Sequence, residues 1–166
     1  MMFQKTLVFL LLLLNCDFLE AQRKSLENDS ICADSLIAFA KRQVGTNYCY
    51  ANASPEGGFD CSGFVYFVFS HYNVTVPRSS KEFKHYGKTI SIDSAKAGDV
   101  IVFTGTNAKY RSPGHVGIVI SIKYGIPVFI HSSSGKKKGV IISNFLESSY
   151  YKKRFIKIVR VNAALY

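Results

Sequence analysis

Cys61 lies between Asp60 and Ser62 in the segment GFDCSGFVYFVF (residues 58–69), at the start of its uncharged aromatic run. Two histidines follow far downstream: His115 begins the segment HVGIVIS, and His131 lies in the segment PVFIHSS. A thiolate can attack a carbonyl carbon, and a protonated imidazole beside it can give a proton to the leaving amine. The three side chains could therefore carry out acyl transfer, provided that the fold brings them together.

The spacing of the two histidines fits a β-hairpin whose connection lies around Tyr124 and Gly125. Directly opposed residues of such a hairpin have numbers with a constant sum. A turn centred on residue 123 therefore pairs His115 with His131, and a turn centred on residue 124 places them on a diagonal. Both arrangements put the rings on one face of the sheet, whereas a turn centred between two residues would separate them. The alternative is two ordinary strand histidines, each hydrogen-bonded in place.

Alternation of side chains along the first of these strands supports the shared face. His115, Gly117 and Val119 are predicted to point the same way, and Gly117 leaves room for a close neighbour. His71 and His85 lie in polar surroundings and show no comparable pattern. The two strand histidines are therefore the candidates for chemistry.

Residues 61–72 are ambiguous between strand and helix. Their aromatic residues and valines have strand propensity, so the pattern alone favours a strand. Asp60, however, is a good helix N-cap, and Gly63 is tolerated in a first turn. If a helix begins at Cys61, its N-terminus and a protonated imidazole would lower the thiol pKa to about 3.5–7.5. The amides of Cys61 and Ser62 would then lie where an oxyanion develops.

A catalytic base needs a third group that fixes its orientation. For acyl transfer this group would be His131, whose ring would accept a hydrogen bond from His115. Two other interpretations stay open at this point. Cys61 could be a small buried hydrophobic residue, or the cysteine and the histidines could hold zinc, although no CxxC or HxxxH spacing supports a metal site. Neither a metal nor a cofactor is expected.

Residues 31–166 are predicted to form one α+β domain. A helix is expected over residues 31–44, ending at Gly45, with a buried stripe at Ile31, Leu36, Ile37 and Ala40. Residues 45–58 are expected to form a loop. Five short β-branched segments follow and are predicted as strands: Asp99–Phe103, His115–Ser121, Val128–Ser132, Val140–Ser143 and Arg154–Val161. Helices before strands indicate an antiparallel sheet.

Residues 1–21 have the layout of a secretory signal peptide. Residues 7–14 form an eight-residue apolar core, too short to cross a bilayer, and cleavage is expected after Ala21. Cys16 follows the tripeptide Leu-Leu-Asn, so a lipoprotein signal with lipid attachment at this cysteine is the alternative. Residues 22–30 are predicted to be a flexible lead-in.

The predicted signal peptide holds one lysine, one aspartate and one glutamate, so the mature chain has 20 basic and 9 acidic residues and a net charge of +11. This charge predicts attraction to anionic cell-envelope polymers. Export argues against nucleic acid as a partner, and a membrane is expected as a partner only if Cys16 is lipidated. The basic runs at residues 136–138 and 152–154 are interpreted as solvated surface.

Three cysteines remain after such a cleavage: Cys32, Cys49 and Cys61. An odd number in an oxidising compartment indicates a free thiol. The predicted helix rises about 18 Å from Cys32 to Val44, and the chain from there to Cys49 reaches back at most about 17 Å. A disulfide between Cys32 and Cys49 would need the chain to double straight back and is disfavoured, while three ordinary thiols stay an alternative.

Taken together, six motifs resemble the NlpC family of bacterial cell-wall cysteine peptidases, the "p-sixty" domain. The resemblance runs from about residue 30 to the C-terminus. Its pieces are Gly45–Tyr50 (GTNYCY), Phe59–Val65 (FDCSGFV), Val76–Ser80 (VPRSS), Ala97–Phe103 (AGDVIVF), His115–Ile120 (HVGIVI) and Phe129–Ser133 (FIHSS). The combination of DCSGF, HVGI and FIHSS in this order is specific, although each motif alone would be weak.

The resemblance implies a papain-like fold, in which a nucleophilic cysteine opens a buried helix packed on a roughly five-stranded antiparallel sheet. It therefore favours a helix for the ambiguous segment. It implies that Cys61 is the nucleophile, His115 the base and His131 the orienting residue. Tyr48 matches a tyrosine that lines the site and could bind the oxyanion or the substrate, or could be a packed loop aromatic. Asp60 would cap the helix and could also meet a substrate amine.

The implied activity is an exported endopeptidase that cleaves peptidoglycan stem peptides next to D-glutamate and before diaminopimelate. Two departures from the family affect the substrate-side loop: Ala51 and Asn52 stand where two glycines are frequent, and the loop from Tyr48 to Cys61 is one residue longer than usual. An amidase or acyltransferase on the same site is an alternative, since fold does not fix substrate. A non-enzymatic wall-binding module is another, although it would have no need of a nucleophile.

Overall fold

The computed structural model describes residues 33–161. The predicted signal peptide, the lead-in and the alternative of lipidation at Cys16 lie outside these residues, as do Ile31 and Cys32. Among the described residues, none of the helices is both long enough and apolar enough to span a membrane.

The first helix, α1, covers residues 33–41. The predicted buried stripe is confirmed at its three described positions, and Phe39 adds to it, so that the buried side chains are Leu36, Ile37, Phe39 and Ala40. The helix ends before the predicted Val44 and continues as hydrogen-bonded turns. Gly45 has a φ of 91° and donates its amide to the carbonyl oxygen of Val140. The helix thus ends before Val44, and the chain that follows is hydrogen-bonded to the sheet.

Two short strands, β1 (Ala53–Ser54) and β2 (Gly58–Phe59), form an antiparallel ribbon before the main sheet. The main sheet is antiparallel and has six strands in the spatial order β3-β8-β4-β5-β6-β7. These strands are β3 (Lys88–Ile90), β4 (Val100–Thr104), β5 (Pro113–Lys123), β6 (Ile126–Ser133), β7 (Gly139–Asn144) and β8 (Phe155–Arg160).

The five predicted strands are confirmed with small changes at their ends. The prediction of roughly five strands misses the edge strand β3, because its three residues, KTI, are mostly exposed and too few to show alternation. Arg154 was predicted to begin the last strand, but it ends a short helix, α3 (Ser149–Arg154), that the residue pattern did not indicate. The sheet and its helices confirm the predicted α+β class.

The ambiguous segment forms helix α2, which covers Cys61–Ser70. The strand favoured by the pattern is therefore wrong, and the helix implied by the family resemblance is confirmed. Asp60 caps the helix, because its carboxylate accepts a hydrogen bond from the amide of Gly63 at 2.6 Å. Buried residues recur at helical spacing: Phe64, Val65, Val68 and Phe69. Tyr66 and Phe67 are apolar as well, and they concealed this period in the sequence.

One hydrogen bond fixes the start of α2 against the sheet. The hydroxyl of Ser132, on β6, donates to the carbonyl oxygen of Phe59 at 2.7 Å. Phe59 lies two residues before Cys61, and Ser132 follows His131 directly. The cysteine and the second histidine are therefore held at a defined separation by buried backbone and side-chain contacts.

Candidate active site

The β5–β6 hairpin turns at Tyr124 and Gly125, which have φ values of 52° and 74°. Both values are positive, as in the two-residue type I′ turn that suits a hairpin. Lys123 pairs with Ile126, so the turn is centred between two residues. A regular ladder from this turn would have placed the two histidines on opposite faces of the sheet.

A β-bulge in β5 restores the shared face. The register shifts between Val119 and Ser121, which leaves Ile120 without an opposed residue. Beyond the bulge, the paired positions are those of a turn centred on residue 124, with Val119 opposite Phe129 and Ile118 opposite Ile130. His115 and His131 therefore lie on a diagonal of one face, which was one of the two predicted arrangements.

The two histidine rings are in direct contact. Nε2 of His115 lies 3.0 Å from Nδ1 of His131, and the rings are nearly perpendicular, with centroids 4.9 Å apart. Aromatic neighbours pack against them, since Phe103 lies 5.9 Å from the His115 ring and Phe129 lies 4.9 Å from the His131 ring. The predicted orienting contact from the second histidine to the first is thus present in the structure.

Gly117 lies on the same face as the two histidines, as predicted, and packs against His131. A Cβ atom at Gly117 would come within 2.9 Å of the carbonyl oxygen of Ile130 and 3.0 Å of Cβ of His131. We expect Gly117→Ala to destabilise the fold by about 1–3 kcal/mol and to lower activity, because β6 must move and carry His131 with it. Urea unfolding and a peptide-cleavage assay measure the two effects.

The matched control is Gly105→Ala in the β4–β5 connection, where an added Cβ meets no atom within 4 Å. This control should retain its stability and activity. If Gly117→Ala has the same free energy of unfolding and the same cleavage rate as the control, the close approach of the strands is not needed.

The second nitrogen of His131 has partners that the sequence did not reveal. Its Nε2 lies 2.9 Å from Oγ of Ser143 on β7 and 3.2 Å from the hydroxyl of Tyr151 on α3. Ser143 closed a predicted strand, but no motif gave the register of the β6–β7 hairpin. Tyr151 lies in the segment SYYKKR, which carried no signal of a role.

We assign the tautomers of both rings so that His115 keeps one nitrogen free to accept a proton, an arrangement that these contacts allow. When Nε2 of His131 donates to Ser143, Nδ1 of His131 has a lone pair and accepts a hydrogen bond from Nε2 of His115. Nδ1 of His115 is then unprotonated. The first histidine thus has one nitrogen fixed by its neighbour and one nitrogen able to accept a proton.

Cys61 and His115 line the same cavity, which has a volume of about 740 Å³. The backbone amides of Val116, Ser62 and Cys61 itself act to lower the pKa of the Cys61 thiol. The last two are amides of the first turn of α2, which have no acceptor within the helix. They stay the candidate donors for an oxyanion at Cys61.

The thiol pKa differs in direction from the prediction. Burial raises the pKa of Cys61 above its usual value; the amide of Val116 opposes this shift and the charge of Asp60 adds to it. Burial also places the pKa of His115 well below its usual value, and the neighbouring His131 and Arg154 lower it further. Desolvation outweighs the helix terminus, so the ligand-free site holds a neutral thiol and a neutral imidazole.

Buried neutral histidines make stability depend on pH. Burial lowers the pKa of His131 to about 3, while His131 in the unfolded chain keeps a pKa near 6.5. Stability is therefore complete above pH 6.5 and falls as pH decreases, because only the unfolded state takes up protons. For each pH unit below 6.5, each of the two site histidines should lower the free energy of unfolding by about 1.4 kcal/mol. Urea unfolding between pH 7 and pH 5, where most carboxylates stay ionised, measures the slope.

A variant without the titrating ring tests this assignment. His131→Asn should show a smaller slope than the natural protein, and His85→Gln should leave the slope unchanged because His85 is exposed. The same slope in all three proteins would mean that the buried rings are not the source of the pH dependence.

Tyr48 and Cys61 both line two cavities, the main cavity described above and a second cavity of about 500 Å³. Burial raises the pKa of Tyr48, and the neighbouring Cys61 and Asp60 raise it further. Its hydroxyl is therefore protonated at neutral pH and is available as a hydrogen-bond donor beside the thiol.

Asp60 is engaged on both oxygens. Its Oδ2 lies 2.9 Å from Nη2 of Arg78, and its Oδ1 accepts hydrogen bonds from Nη1 of Arg78 at 3.0 Å and from the hydroxyl of Ser62 at 3.1 Å. Arg78 belongs to the motif VPRSS, whose residues had no predicted role. The second cavity is lined by this ion pair together with Ser79 and Ser80.

The other candidate side chains lie elsewhere in the described residues. Cys49 and Cys61 are free thiols, but Cys49 does not line either cavity. His71 ends α2 and stacks on Phe39 with centroids 3.8 Å apart, and His85 is exposed. Within residues 33–161, no group of three or more His, Cys, Asp or Glu side chains is placed to hold a metal ion.

A cysteine at the start of a buried helix, beside paired histidines on an antiparallel sheet, defines a papain-like α+β protein with the side chains of a thiol hydrolase. The model of the NlpC/P60 family matches residues 45–160. The chain therefore belongs to the NlpC/P60 family.

Two curated relatives come from Bacillus subtilis (strain 168). The "Gamma-DL-glutamyl hydrolase" is 30% identical over 131 residues, which cover 79% of this chain and 30% of that protein. The "Probable peptidoglycan endopeptidase LytE" is 37% identical over 128 residues, which cover 76% of this chain and 34% of that protein. The chain thus spans about a third of the length of these relatives.

The fold is also similar to that of a solved structure, an NlpC/P60 family protein from Bacillus cereus ATCC 10987. The TM-score is 0.68 and the sequence identity is 29%, and the match covers 79% of this chain and 40% of that chain. The sheet and the helix that carries Cys61 are thus those of a known family fold.

Proposed function

We propose that the protein is an exported cysteine endopeptidase that cleaves peptidoglycan stem peptides at the bond between D-glutamate and diaminopimelate. The observation that carries this proposal is the 3.0 Å contact from His115 to His131 beside a cavity that also holds Cys61. The names of the two relatives, one a γ-glutamyl hydrolase and one a probable peptidoglycan endopeptidase, support the substrate.

In the first step, Nδ1 of His115 accepts the thiol proton as the sulfur of Cys61 attacks the carbonyl carbon. Because both groups are neutral in the free protein, proton transfer accompanies the attack. The amides of Cys61 and Ser62 and the hydroxyl of Tyr48 donate to the oxyanion. His131 stabilises the imidazolium through its lone pair at Nδ1.

In the second step, the imidazolium of His115 gives its proton to the leaving nitrogen, the C–N bond breaks, and a thioester stays on Cys61. A water molecule then attacks the thioester while His115 takes one of its protons. The thiolate leaves and recovers that proton from the imidazolium. The products are a carboxylic acid and an amine, and the protein returns to its starting state.

Charge and the N-terminal segment support the proposed location. A net charge of +11 after signal cleavage would attract the carboxylates of stem peptides and other anionic wall polymers. The apolar segment at residues 7–14 supports export before that cleavage.

The test is to incubate the mature protein with purified muropeptides and to weigh the products by mass spectrometry. Cleavage that leaves diaminopimelate with a new amino group supports the proposal. Release of the whole stem peptide from the glycan would indicate an amidase, and cleavage only at D-alanine cross-links would indicate a different endopeptidase bond.

Two cysteine variants make the test specific. Cys61→Ala should give no product, whereas Cys49→Ala, which removes a free thiol that does not line either cavity, should cleave like the natural protein. If the natural protein and Cys61→Ala both bind the wall and neither cleaves it, the protein is a binding module and the proposed function is wrong.

A further inference from the structure

Arg154 is buried although it carries a charge, with only 5% of its surface exposed. Its Nε donates to the carbonyl oxygen of Gly105 at 2.8 Å, and its Nη2 donates to that of Thr104 at 2.6 Å. Its guanidinium stacks on the ring of Tyr150, with Cζ 4.4 Å from the centroid. The interpretation of this basic run as solvated surface is therefore wrong for its last residue.

The positive charge of Arg154 has no carboxylate beside it in the described part of the chain. Neither of the two ion pairs within residues 33–161 includes this residue. Backbone carbonyls satisfy two nitrogens but do not cancel the charge, and an uncompensated buried charge is costly. A bound anion would supply the missing compensation.

One nitrogen of Arg154 is left for such an anion. Nη1 makes none of the hydrogen bonds found among residues 33–161, yet no buried side-chain nitrogen in that range lacks a partner. Nη1 is therefore not sealed from solvent, and Arg154 forms part of the wall of the main cavity. The carbonyl contacts and the stacking hold the guanidinium plane in place.

The main cavity lies on the leaving-group side of Cys61. His115 lines this cavity and does not line the second cavity, where Arg78 lies. In the proposed reaction His115 protonates the leaving amine, so the leaving part of the substrate must lie on the His115 side. Among the described residues, the wall of the main cavity carries Lys136 and Lys137 besides Arg154, and no Asp or Glu.

We propose that Arg154 is a specificity-determining residue that binds a free carboxylate on the amino acid leaving from the scissile bond. This inference rests on the proposed peptidase function. An arginine and a carboxylate form strong charge-assisted hydrogen bonds. Burial is the main cause of the lowered pKa of His115 and of His131, and the charge of Arg154 lowers both pKa values further. The charge of Arg154 therefore acts on both histidine rings, and a bound carboxylate would offset it.

The test compares two synthetic peptides, each with D-glutamate joined through its γ-carboxyl to diaminopimelate. In one peptide the diaminopimelate carboxylates are free, and in the other they are carboxamides. The natural protein should cleave the acid with a kcat/KM about 10- to 100-fold higher than the amide, the range for hydrogen bonds to a charged group. Equal rates for the two peptides would overturn the inference.

Variants of helix α3 assign the preference to one side chain. Arg154→Gln should bring the two rates within about twofold of each other by slowing the acid, and Arg154→Lys should keep part of the preference. Lys153→Gln is the matched control, because Lys153 is the exposed neighbour on the same helix and does not line the cavity. A preference that survives in Arg154→Gln would refute the assignment.

The kinetic test cannot decide if Arg154→Gln does not fold or if the natural protein cleaves neither peptide. A binding measurement decides in both cases. Calorimetry of the Cys61→Ala protein with the acid and with the amide needs no change at Arg154 and no reaction. Tighter binding of the acid, weakened by added salt, supports the carboxylate site even if the proposed reaction is wrong. Equal binding of both peptides refutes the site even if cleavage occurs.

Discussion

Cys61→Ala is expected to lower kcat/KM for stem-peptide cleavage by about 10⁴-fold or more, and His115→Ala to do nearly the same. In the proposed reaction the thiol of Cys61 forms the thioester and the imidazole of His115, which lines the same cavity, moves its proton. Each group is inactive without the other. The double variant should therefore be slower than the single variants by less than about tenfold, since residues that act as a unit are not additive.

Steady-state cleavage of a synthetic stem peptide gives these ratios, and urea unfolding shows whether each variant is folded. Cys49→Ala should retain its rate within about twofold, because Cys49 does not line either cavity. A folded Cys61→Ala protein with more than about one hundredth of the natural rate would exclude the thioester route.

The second large effect is expected at His131. His131→Leu should lower kcat by about 10³- to 10⁴-fold with little change in KM, because Nε2 of His115 loses its acceptor and the ring can take the wrong tautomer. His131→Asn offers an amide oxygen as acceptor and should retain more activity than the leucine variant. Both substitutions remove the contacts to Ser143 and Tyr151. Loss of stability alone would therefore not make the asparagine variant more active than the leucine variant.

Nitrogen NMR of the imidazole side chains separates a positioning role from a structural one. In the natural protein His115 should carry its proton on Nε2, and in His131→Leu the two tautomers should both be populated. His85→Gln is the control for kinetics and spectra, because that ring is exposed. Unchanged tautomers in a slow but folded His131→Leu would contradict the positioning role.

The parts of the site that the sequence predicted are those carried by local motifs. DCSGF indicated the nucleophile and its helix cap, and the HVGI and FIHSS strands indicated the two histidines. The helix itself needed the family resemblance, because α2 is apolar on nearly all sides and so has no readable period. Local pattern was informative where polar and apolar residues alternate and uninformative in α2, where the less buried Tyr66 and Phe67 are as apolar as the buried residues.

The parts that could not be predicted depend on contacts between distant segments. Ser143 and Tyr151 reach His131 through a strand register and a short helix that no motif encodes. The raised pKa of Cys61 follows from burial, which exceeds the effect of the helix terminus that the sequence suggested. The environment of Arg154 is likewise a product of three-dimensional packing, since the two residues before it, Lys152 and Lys153, are exposed.

The bulge at Ile120 means that the length of the hairpin and the contact between its two histidine rings are set independently. The pairs on either side of it, Val119 with Phe129 and Ser121 with Val128, become neighbours of a regular ladder once Ile120 is skipped. A chain lacking that residue would form an unbroken ladder with the same diagonal between the rings, at the loss of one buried isoleucine. Evolution can therefore add or delete a residue at this place without displacing His115 relative to His131.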